Sequence, residues 1–233
     1  MIELKGKRIL SFFAHPDDET LAAGGTFAKC KSLGCEVHVA IPSTGINSRS
    51  NVQVKTKREK ALEGLRKDCY TAMKVLGIPA KRVYLGDFAD NELDKYSRLE
   101  LIHWLESIIR KVKPDIVFTN HRFCTNIDHQ YCHEAAVIAT RPALGYHTIL
   151  ISGEVPSSTG HLRPANWEPN FYVELSKKEV EAKVKAMQAY KSEVRPDPHG
   201  RSPEALRALA KVRGSESGFF WAESFMINRI FHE

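Results

Sequence analysis

The chain of 233 residues is predicted to fold as one α/β domain, a Rossmann-like, doubly wound and mostly parallel sheet with helices on both faces. Two observations predict it. Short apolar runs rich in Val and Ile alternate with longer stretches of helical period, the order that builds βα units. Polar residues of ligand type also gather in the loops after the first and fourth of those runs, and open parallel sheets bind ligands at the carboxyl ends of their strands.

The elements follow in order. Residues 7–14 are an apolar strand, and residues 19–33 a helix whose Ala22, Ala23, Gly24 and Gly25 permit close packing. Glu36–Ile41 is the second strand, with Val37, Val39 and Ile41 as its apolar members. Pro42–Val52 reads as a polar, irregular loop. Lys57–Leu76 has long helical periodicity and ends at Gly77 and Pro79, as helices tend to. Arg82–Leu85 is a short third strand, Gly86–Asp94 a polar loop, and Leu99–Val112 a helix closed by Pro114. Asp115–Thr119 is the fourth strand, and a helix is expected over His129–Ala139. Thr148–Ser152 is the fifth strand and Phe171–Leu175 an alternating edge strand. Helices over Lys177–Tyr190 and Pro203–Val212 complete the pattern. With no internal repeat, low-complexity tract or linker, residues 1–233 read as a single domain.

Composition narrows the function classes. A hydrophobic content of 42% suits a folded globular chain. No apolar run reaches the ~18 residues of a membrane span, and Met1–Lys5 lacks a signal-peptide core, so no membrane span and a cytoplasmic location are expected. Five cysteines (Cys30, Cys35, Cys69, Cys124, Cys132) are an odd number at low density, which suits reduced thiols. The net charge of +6 sits largely in helical stretches interleaved with acids, without a nucleic-acid motif. Solvated helix faces account for it, and no nucleic-acid partner is expected. Attraction for an anionic small molecule remains compatible with that charge, and a homo-oligomer is left open.

The hinge His15-Pro16-Asp17-Asp18-Glu19 places one imidazole and three carboxylates between a buried strand and a helix. Acidic residues at a helix start are by themselves an ordinary dipole-favoured signal. His15 and Pro16 are not explained that way, and adjacent carboxylates repel unless a cation compensates them. A divalent metal does so, and a spare carboxylate beside it serves as a base. A second polar cluster follows the fourth strand: His121, Asp128, His129 and His133. Both should open onto the same sheet edge. His129 and His133, four apart, share a helix face. Cys124, Cys132 and His133 lack the paired-cysteine spacing of a structural zinc site.

Taken together, His15-Pro16-Asp17-Asp18-Glu19, the small-residue helix after it and the later Asp128-His129 resemble the PIG-L/LmbE family of zinc-dependent sugar N-deacetylases. The resemblance extends to Arg213-Gly214 and Ala222–Phe225. It implies Zn2+, or another divalent first-row metal, held by His15, Asp18 and His129, with Asp17 as general base and Asp128 orienting an imidazole. Many members carry a histidine where this chain has Asn126. Oxyanion stabilisation therefore falls to Asn126 itself or to His121, and His121 is the expected donor because a neutral amide cannot match an imidazolium opposite a developing negative charge. Substrate contacts are expected from Asp90 and Asn91, from Glu154, and from Arg201 in a loop (residues 198–202) that reaches over the site. The implied reaction is hydrolysis of an N-acetyl group from an amino sugar or sugar conjugate, nucleotide-linked or not, in surface-glycan synthesis. Two alternatives stand beside it: a metal-dependent amidohydrolase acting on another N-acyl substrate, and a non-catalytic metal- or sugar-binding protein. The substitution at Asn126 is the feature that favours the second.

Overall fold

The structure is a computed structural model and describes residues 2–43, 55–161 and 167–231. Among them, seven strands form one sheet in the order β3-β2-β1-β4-β5-β7-β6. The strands are β1 (Arg8–Phe12), β2 (Glu36–Ser43), β3 (Val83–Phe88), β4 (Ile116–Asn120), β5 (Ile149–Gly153), β6 (Phe171–Leu175) and β7 (Trp221–Arg229). Six α-helices accompany them: α1 (Asp18–Ser32), α2 (Lys55–Leu76), α3 (Arg98–Val112), α4 (Ile127–Ala139), α5 (Lys177–Ala189) and α6 (Pro203–Ser217).

Strands β1 to β5 pair in parallel, as their alternation with helices requires. The expected class therefore holds, and the α/β sheet is mixed only at one end. There β7 runs antiparallel to β5, and β6 antiparallel to β7. Sequence reading assigned β6 as an edge strand but did not mark β7 as a strand. Its inward positions include Glu223 and Ser224, both buried, so the strand lacks the clean apolar alternation by which strands are recognised. Smaller differences concern ends. Pro42 and Ser43 belong to β2, β3 runs on to Phe88, and α6 runs on to Ser217. The loop expected to Val52 lies, from Thr44 onward, outside the described residues.

Successive residues of each central strand enter opposite cores, the signature of a sheet covered on both faces. Ile9, Val39, Ile116 and Ile151 face one core with α1, α2 and α5. Leu10, Ala40, Val117 and Leu150 face the other with α3 and α4. The chain moves outward from β1 through β2 to β3, then returns to place β4 on the other side of β1. The carboxyl ends of β1 and β4 thus flank the switch point of the sheet, where a crevice opens.

Helix α1 carries the hinge and is not regular. Its backbone breaks at Ala23 (φ −140°), which frees amides a continuous helix would bond. Glu223 from β7 accepts them: Gly25 N–H at 2.9 Å and Thr26 N–H at 2.6 Å. The same carboxylate pairs with buried Lys183 at 2.7 Å. Gly25 is required here, since a Cβ would run into Leu175 and approach Glu223. Gly153, at the end of β5, likewise admits Ala22, whose Cβ would lie 2.8 Å from an added one. Glu223→Ala leaves Lys183 buried without a partner and two amides uncapped. The expected cost is about 3–5 kcal/mol, the usual penalty for halving a buried ion pair. A fall in the urea midpoint with an unchanged m-value checks it.

Candidate metal centre and cleft

The loop after β1 brings four side chains of the hinge to the switch point, and Asn120 fastens it. The Asn120 amide oxygen accepts Ala14 N–H at 2.9 Å, tying the end of β1 to the end of β4. Beyond it, α4 starts at Asn126, whose Oδ1 caps the helix by accepting Asp128 N–H at 2.8 Å. This start sets Asp128 and His129 in the first turn, facing the hinge.

Three donor atoms converge. His15 Nδ1 lies 3.3 Å and His129 Nε2 lies 3.0 Å from Asp18 Oδ2, and the two ring nitrogens are 3.3 Å apart. Donors around a tetrahedral zinc with ~2.0–2.2 Å bonds are roughly 3.3–3.5 Å from one another. The triangle is therefore close to the size such an ion needs, and these residues form one of the two groups among the described residues that could hold a metal. The other group, His15 with Asp90 and Asp128, uses the opposite nitrogen of the same ring. His15 Nε2 lies 3.0 Å from Asp128 Oδ2 and 3.2 Å from Asp90 Oδ1. A ring that donates Nε2–H to a carboxylate offers Nδ1 to a metal, so the first group fits a cation and the second orients the ligand.

Electrostatics support the same division. Burial opposes charge on His15, yet the bonds to Asp128 and Asp18 outweigh it and hold its pKa well above the usual value. Burial acts likewise on His129, where the Asp18 charge prevails and lifts the pKa to about 9. Burial raises Asp18, but His129 and His15 hold it well below the ordinary carboxylate range. Crowded, buried carboxylates draw protons onto both rings. A divalent ion would supply that positive charge in their place.

Asp17 stands apart from the triangle. Its backbone sits at φ 119°, a conformation side chains rarely adopt, and such strain clusters at functional sites. Glu19 holds it there by accepting Asp17 N–H at 3.1 Å. Glu19 is in turn fixed by Thr20 and by Tyr190 of the α5 end, each at 2.7 Å. Burial, partly offset by Arg201 and reinforced by the Asp18 and Glu19 charges, pushes Asp17 up to about 7. Arg201 Nη1 reaches Asp17 Oδ2 at 3.1 Å and Glu193 at 2.9 Å.

Above these groups opens a cleft of about 600 Å³, a size typical of small-molecule sites. His15 and His129 form its floor, and Asn91, Thr125, Asn126, Ser157, Ser158, Arg195, His199 and Arg201 line it. The structure thus brings together His15, Asp17, Asp18, Asp90, Asn91, Asn126, Asp128, His129 and Arg201 of the residues singled out in the sequence. Asn126 also donates to Asn91 Oδ1 at 2.8 Å, and the Asn91 and Leu93 amides both donate to Asp128.

Three of the expected residues lie elsewhere. Glu154 pairs through both oxygens with Arg213 and accepts from Ser224, on the α6 and β7 side. It does not line the cleft, because β7, unforeseen in the sequence, supplies neighbours that draw it away. His121 is buried, with ring contacts to Phe123 and Trp167, and is not among the cleft-lining residues. His133, expected with the second cluster, instead bonds Asn120 O and Ser152, at the ends of β4 and β5.

Sequence reasoning passed over four contributors. Asn120, Glu19 and Tyr190 act through other side chains, which no spacing reveals. Ser158, 3.3 Å from His129 Nδ1, comes from the loop after β5, and only its place after a parallel strand could have marked it. Asp128→Asn is expected to weaken metal binding about 10–100-fold, the scale for losing a carboxylate that orients a ligand. Titration with zinc against a competing chelator measures it.

This fold and this donor set define a class: α/β proteins with a triangle of donors that could hold a metal and an aspartate outside it. Residues 10–140, more than half of the chain, match the PIG-L family, described as GlcNAc-PI de-N-acetylase, and the chain belongs to that family. The deacetylase YaiS of Escherichia coli K12, itself uncharacterized, is 26% identical over 196 residues, spanning 81% of this chain and 92% of YaiS. The 1D-myo-inositol 2-acetamido-2-deoxy-alpha-D-glucopyranoside deacetylase of Rhodococcus jostii RHA1 is 29% identical, over 48% of this chain and 45% of that protein. Among solved structures, N,N'-diacetylchitobiose deacetylase from Pyrococcus horikoshii, bound to an inhibitor, is similar with a TM-score of 0.76 and 25% identity. It covers 95% of this chain and 83% of its own.

Proposed function

We propose that this protein hydrolyses the N-acetyl group of an amino sugar or sugar conjugate, with a divalent metal, zinc foremost, at His15, Asp18 and His129. The observation that carries this reading is the compact donor triangle with Asp17 beside it and outside it. A divalent ion bound there supplies Lewis acidity to the acetamide carbonyl and to a water. Asp17 takes the proton of the attacking water and returns it to the departing nitrogen. The water oxygen joins the carbonyl carbon, the carbon–nitrogen bond breaks, and acetate and a free amine result. A pKa near 7 suits a group that must both accept and donate.

Negative charge on the carbonyl oxygen needs a donor, and Asn126 is the better placed of the two candidates because it lines the cleft. Asn91, beside Asn126 on the cleft wall, and Arg201 are suited to sugar hydroxyls, whereas Asp90 lies beneath them against His15. A role in surface-glycan synthesis belongs to the same proposal and rests on the sequence resemblance. Among the described residues no helix is long and apolar enough to cross a membrane. The test is acetate release from N-acetylglucosamine, N,N'-diacetylchitobiose and UDP-N-acetylglucosamine, with and without chelator. Chelator-sensitive release from one of them is expected. Release of formate or longer acids from other amides, with none from sugars, would support the broader amidohydrolase instead.

A further inference from the structure

The carboxylates of the site lie beneath the cleft, and among the described residues no acidic one lines it. Its outer wall is instead basic. After α5 the chain runs through Arg195, His199 and Arg201, all of which line the cleft. Arg201 is engaged with Asp17 and Glu193. Among the described residues Arg195 pairs with no acid. Its Nη1 donates to the carbonyls of Ser192 and Val194 at 2.6 and 3.0 Å, which anchors the guanidinium. Its Nε and Nη2 remain, and no carboxylate lies within ion-pair distance among the described residues. His199 Nδ1 accepts the Arg201 N–H at 3.1 Å, so a neutral ring carries its proton on Nε2, a further donor.

This wall is built rather than loose. His199 N–H bonds Pro196 O, Ser202 N–H bonds His199 O, and Ser202 Oγ donates to Asp197 at 2.7 Å. Gly200 packs on Pro156, where a Cβ would come within 3.3 Å. Donors held in place bind an anion with less ordering cost. Burial, and after it the Arg201 and Arg195 charges, depress the pKa of His199, and an anion would relieve the positive potential of the two arginines.

We propose that Arg195 and His199 form a subsite for a phosphoryl group carried on the amino-sugar ring itself, so that the substrate is an N-acetylated amino sugar phosphorylated on its ring. The inference rests on the proposed deacetylation and names its substrate class. An arginine fork matches phosphate oxygens, and hydrogen bonds to charged groups are the strong ones. The cleft volume leaves room beyond the reacting acetamide for such a group.

Binding tests it apart from turnover. Calorimetry on the metal-loaded protein compares glucosamine with glucosamine 1-phosphate and glucosamine 6-phosphate, in wild type and in Arg195→Gln and Arg195→Gln/His199→Ala. At least one phosphate is expected to bind about tenfold or more tightly than the neutral sugar, the scale of one hydrogen bond to a charged group. That preference should collapse in the variants. Equal affinity for neutral and phosphorylated sugars overturns the subsite. So does a preference that survives in the double variant, since the phosphate would then be read by the metal. Acetate release from the corresponding N-acetyl sugars is measured in parallel. A phosphate preference without acetate from any of them would retain the subsite and reject the deacetylase.

Discussion

Asp17→Asn is expected to lower acetate release by roughly 10²-fold or more while leaving the metal content unchanged. The magnitude is that of a general base positioned on the reacting water. Asparagine is the apt replacement, because it keeps the side-chain shape and is among the residues that best tolerate positive φ, which the backbone at φ 119° demands. Glu19 still accepts the amide of residue 17, so the turn should persist. Only the charge and the pairing with Arg201 go. Metal analysis alongside the kinetics separates the outcomes. Full metal with near-normal turnover would assign proton transfer to another group. Loss of metal would mean that Asp17 belongs to the ligand set.

His129→Ala should have the larger effect, by a different route. It removes one of three donors that lie 3.0–3.3 Å apart, and two remaining donors leave a metal weakly held. Because the ion supplies several kcal/mol to a transition state of this kind, turnover should fall on the order of 10³-fold or more. A second readout is independent of activity. Added zinc should raise the melting temperature of the wild type and not of the variant, since a ligand stabilises only a fold that binds it. Alanine is a strong helix former, so α4 is expected to survive. A zinc-dependent rise equal to that of the wild type would remove His129 from the site.

The two roles illustrate how one short hinge separates its carboxylates. Asp18 and Asp17 are neighbours in the chain, yet the first faces two imidazoles and the second an arginine. Opposite charge and burial therefore drive their pKa values apart, downward for Asp18 and up to about 7 for Asp17. Separation of that sort assigns different tasks to like groups. The strained backbone at Asp17 is what turns the two side chains to different partners.

Much of this is legible in the residue order. Short continuous apolar runs mark the central strands, because each must bury both its faces. The alternation with helices then obliges those strands to run parallel and to present their carboxyl ends together. From that constraint alone His15, Asp17 and Asp18 after β1 meet Asp128 and His129 after β4. What lies farther out was decided by tertiary packing. Strand β7 hides its period behind Glu223 and Ser224, buried polar residues that make sense only once the broken α1 and Lys183 supply partners. The same strand draws Glu154 away from the cleft through Ser224, with Arg213 of α6 beside it. His121 is the stronger donor by type, but burial among aromatic rings claims it while the cap of α4 carries Asn126 to the cleft. Local pattern specifies elements and their direction; which polar side chain faces which depends on contacts between residues distant in sequence, and only the packed structure has those.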